Sequence, residues 1–193
     1  MSPDLAIAYA LMCIAQNFGS EIVAILHGDE AKAAAMTGNN DVDPNAPLED
    51  LCLAYESHHF SGLSNSLHAA GICLSILSFL SAITNIGSVG RLRNLAWVPP
   101  LYYLSAWAGH FFIQKDIPAV FSYGMSFRGW YAGEYCSMRA FFGWGDRGFV
   151  TLAEPWQFMA TVALMAMWVI ANNGSVAPCP SPIKVKSIKS KAA

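Results

Sequence analysis

The side chains of this chain best suited to chemistry are imidazoles. Histidine occurs five times in 193 residues, and four of the five fall in two short stretches. The first runs Tyr55-Glu56-Ser57-His58-His59 and on to His68; the second is Trp107-Ala108-Gly109-His110-Phe111-Phe112-Ile113-Gln114-Lys115. Neutral imidazole is the commonest protein ligand for a metal ion. Three or more converging rings near a membrane face favour a first-row metal such as iron, with open positions for oxygen and a substrate. The competing reading is that each ring hydrogen-bonds within a polar bundle interior, and His27, which stands apart, takes that reading. No G-x-S-x-G, Walker or G-x-G-x-x-G pattern occurs. Cys13, Cys52, Cys73, Cys136 and Cys179 are odd in number and contain no C-x-x-C pair. They indicate neither a disulfide framework nor a zinc knuckle, and read as small buried apolar side chains.

For the imidazoles to meet, the elements between them must form an out-and-back pair. A hydrophobic hairpin fits: Gly71–Val89 leads out, Gly87–Asn94 turns, and Leu95–Ile113 returns. Counted from Leu92, His68 and His110 are 24 and 18 residues away, a difference of about 9 Å in depth at about 1.5 Å per residue. Gln114 follows His110 by four residues and shares its helix face. His59 and His68 are nine apart, on opposite sides of a continuous helix, so they converge only if a break at Ser61-Gly62 folds the chain back.

Composition supplies the setting. The chain is 54% hydrophobic and 12% charged, against roughly 25% charged in ordinary soluble domains, and its mean hydropathy is +0.37. We therefore expect an all-α fold, a multi-pass transmembrane helical bundle of about four spans with interfacial helices, over residues 1–177. A net charge of −2 offers no field to gather nucleic acid. The first span is Leu5–Leu26, whose Gln16, Asn17, Ser20 and Glu21 must face other helices, unless it lies on the bundle as an amphipathic helix. The second starts near Ser64 or Asn65 and carries a stripe of Ser75, Ser78, Ser81, Thr84 and Asn85 suited to helix packing. The third bends at Pro99-Pro100, where freed carbonyls must be satisfied inside the bundle. The fourth is Trp156–Ala171. His27–Asp50 reads as a polar loop, helical at most over Ala31–Met36. Gln114–Pro155 reads as short interfacial helices with Trp130, Tyr131, Trp144 and Trp156 at headgroup depth.

Four spans put both termini and the Arg91/Arg93 turn on the cytosolic side, with the acidic loop and the histidines opposite. In that topology the Asn173-Gly174-Ser175 glycosylation triplet stays bare. Residues 178–193 form a basic cytosolic tail with Lys184, Lys186, Lys189 and Lys191. Its K-x-K-x-x ending resembles the dilysine signal of endoplasmic reticulum membrane proteins, which makes a retrieval coat an expected partner. The alternative is a basic tail lying against anionic lipid.

Tyr55, His59-x8-His68 and Gly71, then a span, then Gly109-His110-Phe111-Phe112-Ile113-Gln114-Lys115-Asp116-Ile117-Pro118-Ala119-Val120-Phe121 resemble the small endoplasmic reticulum 2-hydroxy fatty acid dioxygenases, whose yeast member serves phytosphingosine breakdown. The resemblance covers roughly residues 50–125, and G-H-x-x-x-[EQ]-K-x-x-P-A is its most specific element. It implies an all-helical membrane bundle and Fe(II) held by His59, His68 and His110, with His58 as a further ligand candidate. Gln114 completes the catalytic set. It stands where the family usually has Glu, and its carbonyl can still coordinate or orient a water. Ser64 stands where the family tends to place Asn, and Asn65 comes one place late.

The resemblance then implies α-oxidation. A 2-hydroxy fatty acid would chelate the metal through its carboxylate and hydroxyl, O2 would bind beside it, and cleavage between C1 and C2 would leave an acid one carbon shorter. Tyr55, Lys115, Phe111 and Phe112 are the substrate-site candidates: Phe111 and Phe112, with Phe121 and Tyr123, would line the acyl chain, and Lys115 would pair with the carboxylate or snorkel to the interface. Two other readings stay open. One is a relative that oxidises or isomerises another lipophilic metabolite, a polyketide or terpenoid, to which Gln114 points. The other is a non-enzymatic membrane adaptor with structural histidines.

Overall fold

Two antiparallel helices, α4 (Gly62–Thr84) and α5 (Val89–Ala108), are the most extensively paired elements of the computed structural model. The structure describes residues 2–40, 43, 45–59, 61–84, 89–118, 127–142, 155–172 and 174–176. Phe121, Tyr123, Trp144, Asn173 and the lysine-rich tail lie outside the described residues. A six-residue π-helix, Gly109–Gln114, continues α5. The remaining helices are α1 (Pro3–His27), α2 (Asp29–Asn40), α3 (Leu48–His58), α6 (Phe127–Phe141) and α7 (Pro155–Ala171). Helix α1 packs on α2 and α5, α7 on α4, and α3 on α6. The described residues are all-helical, without a strand.

The serine stripe on α4 acts as a hydrogen-bonding seam. Ser75 Oγ donates to the Val98 carbonyl at 3.0 Å, Ser78 Oγ to the Asn94 carbonyl at 2.9 Å, and Asn94 Nδ2 to Ser81 Oγ at 2.8 Å. Pro100 has no N–H to give the Ala96 carbonyl one turn earlier, and Tyr9 of α1 donates its hydroxyl there instead, at 3.0 Å. Tyr9→Phe should therefore cost about 1–3 kcal/mol, the penalty of a buried acceptor left alone. Adding Pro100→Ala, which returns a backbone donor, should recover part of that loss. Unfolding of both variants in detergent checks it, and equal destabilisation of single and double variants would refute this account of the bond.

Two glycines let α4 and α5 approach closely. A Cβ at Gly71 would lie 2.7 Å from Ser105 Cβ and 2.9 Å from the Leu101 carbonyl. A Cβ at Gly109 would run into the Ser64 hydroxyl, with Ser64 Cα only 3.3 Å off. These contacts flank the level of His68 and His110, so the absence of side chains there brings the two imidazoles together.

Several expectations are revised. Residues 29–40 form a full helix rather than a loop with one helical turn. Asp29 and Glu30 complement its N-terminal dipole, and Ala35 is buried against α1 and the π-helix. Helix α4 begins at Gly62 rather than at Ser64 or Asn65, with Ser61 Oγ 3.5 Å from Ser64 N. Helix α1 is interrupted at Phe18 (φ −127°, ψ 27°). Cys52 of α3 and Cys136 of α6 form a disulfide, contrary to the reading of all five cysteines as inert apolar residues. Their separation of 84 residues carries no local signature. Among the described residues, α1 and α4 are long and apolar enough to cross a bilayer. Helix α7 is apolar but has 17 residues, at the short end of what spans the hydrocarbon, and α5 opens with Arg91 and Arg93, so the described residues give two clear candidate spans and do not confirm the expected four.

Candidate metal centre

Three backbone devices build the site. Helix α3 stops at His59, whose φ of −104° and ψ of 61° turn the chain away from the helix axis. Asn65, in the first turn of α4, donates from Nδ2 to the His59 carbonyl at 3.2 Å and so holds the break closed. Helix α5 then widens into the π-helix carrying His110 and ends at Lys115 in the left-handed conformation (φ 59°), whose N–H reaches back five residues to the His110 carbonyl. Such π-turns re-aim a side chain that a regular helix would point elsewhere.

His59, His68 and His110 meet at this end of the hairpin, all buried. Their ring centroids are 4.7, 5.0 and 5.0 Å apart, and one nitrogen from each ring falls within 4.8 Å of the others. The orientation of two rings is set by backbone. His59 Nδ1 donates to the Tyr55 carbonyl at 2.6 Å and His68 Nδ1 to the Ser64 carbonyl at 2.8 Å. In the neutral rings this leaves lone pairs on both Nε2 atoms, which face each other at 3.2 Å. Backbone carbonyls that fix the tautomer of a ligating histidine are the usual outer support of a metal site. The three histidines thus form a group able to hold a metal ion.

The other candidates are placed as follows. Tyr55 stacks on His59 with centroids 4.1 Å apart. Gln114 is buried at the end of the π-helix. His58 ends α3, and its side chain lies outside the described residues. Phe111 is buried with Trp107, Ala15, Val23 and Ala35 on the α1–α2 side, and Phe112 is 64% exposed. Neither lines the cavity beside the histidines, because the π-helix turns them away from it. Lys115 is exposed and is not a lining residue either.

That cavity has a volume of about 40 Å³ and is bounded by His68, His110, Tyr55, Tyr102, Tyr103 and Glu134. Tyr103 donates its hydroxyl to Glu134 in a short hydrogen bond and accepts one from Trp130 Nε1 at 3.0 Å. Tyr102 donates to Ser137 Oγ at 2.8 Å. Burial pushes the Glu134 carboxyl above its ordinary range, against the lowering effect of the tyrosine hydrogen bonds. Sequence reasoning overlooked this polar wall. Tyr103 precedes His110 by seven residues, two helical turns, and that spacing places them on one face. Glu134 had no comparable signal.

His27, read from sequence as unrelated to the site, supports it indirectly. Its Nε2 donates to the Phe111 carbonyl of the π-helix at 2.6 Å. We expect His27→Ala to lower metal affinity by about 10–100-fold, the usual cost of losing an outer-shell support. His27→Gln, which keeps a donor, should restore much of it. Titration of the purified variants with Fe(II) checks this, and unchanged affinity in His27→Ala would rule the role out.

Residues 46–132 match the model of the family described as Mpo1-like, 2-hydroxy-palmitic acid dioxygenase Mpo1-like. The matched span contains all three histidines and ends two residues before Glu134. No curated protein and no solved structure matches the chain.

Proposed function

From the match of residues 46–132 to the Mpo1-like family model, we propose that this chain is an iron-dependent dioxygenase that converts a 2-hydroxy fatty acid to the acid one carbon shorter. The observation that carries the proposal is the convergence of one ring nitrogen from each of the buried His59, His68 and His110 within 4.8 Å of one another, with the Nδ1 atoms of His59 and His68 committed to backbone carbonyls. His59, His68 and His110 would hold the ion. Bound iron would supply a centre at which O2 and the chelating hydroxy acid meet.

The chain's own residues do the rest. Tyr55 fixes the plane of the His59 ring by stacking. Tyr102, Tyr103 and Glu134 line the cavity; the two hydroxyl hydrogens are already given to Ser137 and Glu134, so these residues offer acceptor oxygens to which the substrate hydroxyl can donate. Gln114, buried four residues after His110 but not on the cavity wall, would act on the substrate head only through a bridging water. Burial of all three rings keeps bulk water from the reacting carbon. Helices α1 and α4 support residence in a membrane, which on this reading is that of the endoplasmic reticulum.

The test is direct. Iron-loaded protein given 2-hydroxypalmitate should consume one O2 per molecule and release the odd-chain acid, CO2 and water. Palmitate, which lacks the hydroxyl needed to chelate, should give no product. No turnover of any 2-hydroxy acid by protein carrying stoichiometric iron would reject the reading in favour of another lipophilic substrate.

A further inference from the structure

A second concavity lies against the first. It is a groove between α4, α5 and α6 with a volume of about 350 Å³, bounded by apolar side chains that include Ile76, Phe79, Val98 and Met138. Tyr102, Tyr103 and Glu134 belong to both, forming the wall between the groove and the histidine cavity. The groove is therefore polar at one end only, the end nearest the histidines. Ser75, its polar residue on α4, already donates to the Val98 carbonyl and offers the groove no donor.

At the outer side Ile76, Phe79 and Trp130 are 40%, 47% and 46% exposed. Ile76 and Phe79 sit on α4, one of the two helices apolar and long enough to cross a bilayer, so this side faces hydrocarbon when α4 is in a membrane. From His68 to Phe79 is eleven residues along α4, or about 16 Å at the helical rise. That length suits a long-chain acyl group lying along the helix, and a short acid would fill only its inner part.

We propose that this groove holds the acyl chain of the 2-hydroxy acid substrate, which slips in sideways from the bilayer with its polar head stopping at the Tyr102–Tyr103–Glu134 wall. The proposal rests on the dioxygenase reading for the identity of the head group. It moves the tail away from Phe111 and Phe112, onto the opposite side of α5. Its occupant is the free hydroxy acid, because a chain with a single small polar end fits a groove that is apolar along its length and polar only at the end nearest the histidines.

The experiment is photo-crosslinking of the full-length, iron-loaded protein in nanodiscs with 2-hydroxypalmitate bearing a diazirine at its methyl end, followed by peptide mapping. Label is expected on α4 around Ile76–Phe79 and on α6 around Met138, displaced by unlabelled 2-hydroxypalmitate and not by added phosphatidylcholine. Ile76→Trp, which fills the groove, should lower this labelling at least tenfold and raise KM for the long-chain acid more than for a short-chain one, with iron content unchanged. Label on Phe111 or Phe112, equal displacement by phosphatidylcholine, or undiminished labelling of Ile76→Trp would overturn the assignment. Displaceable groove labelling in protein that proves unable to turn over any 2-hydroxy acid supports the groove and counts only against the dioxygenase reading.

Discussion

Replacing His68 by alanine is expected to reduce bound iron from one per chain to a trace and to abolish oxygen consumption with 2-hydroxypalmitate. His68 is buried, its Nε2 lies 3.2 Å from that of His59, and its Nδ1 is anchored one helical turn back on Ser64. Removing it takes away one of three nitrogens and leaves a gap that no other histidine, cysteine or carboxylate in the described metal-binding group can fill. His110→Ala should behave alike, and His59→Ala as well, since each supplies one ligand atom to the same point. Elemental analysis of the purified variants, beside circular dichroism to establish folding, makes the measurement. Full iron occupancy in folded His68→Ala and His110→Ala would leave the histidines as structural groups and remove the basis for catalysis.

Breaking the Cys52–Cys136 bond should produce the largest loss of stability of any pair of substitutions remote from the histidines. The bond closes a loop of 84 residues, for which chain entropy alone predicts about 4–5 kcal/mol. It also ties α3, which is followed directly by His59, to α6, which carries Glu134. Cys52→Ala/Cys136→Ala should unfold in detergent at markedly lower temperature, as should wild type after reduction. Both cysteines are buried among Leu51, Tyr55, Ala69 and Ala132, so alanine leaves a small apolar void rather than an unpaired polar group, and the loss measures the cross-link. A double variant as stable as the oxidised wild type would show that α3 and α6 are held by packing alone. The Glu49–Arg139 ion pair between the same helices, at 2.7 Å, is exposed on the Glu49 side and is a weak substitute, since such pairs contribute about 1 kcal/mol or less.

What the amino-acid order determined by itself is the set of local and compositional properties. Apolar runs long enough for helices, a serine stripe committed to a helix partner, and prolines that must free carbonyls are all local, and the helices, the seam and the need for a donor to Ala96 follow from them, while the choice of Tyr9 as that donor does not. The demand that His59 meet His68 through a fold at Ser61-Gly62 was likewise legible, because nine residues of unbroken helix would have kept the rings apart. Tertiary structure alone decided the rest. Pairing of Cys52 with Cys136, the turn of Phe111 and Phe112 away from the cavity by a π-helix, the bond from His27 to that π-helix, and the Glu134 wall all depend on which faces of distant helices come into contact. That choice is made by packing. The close approach at Gly71 and Gly109 fixes how deeply α4 and α5 interlock, and no periodicity within a single segment encodes the depth at which two separate segments meet.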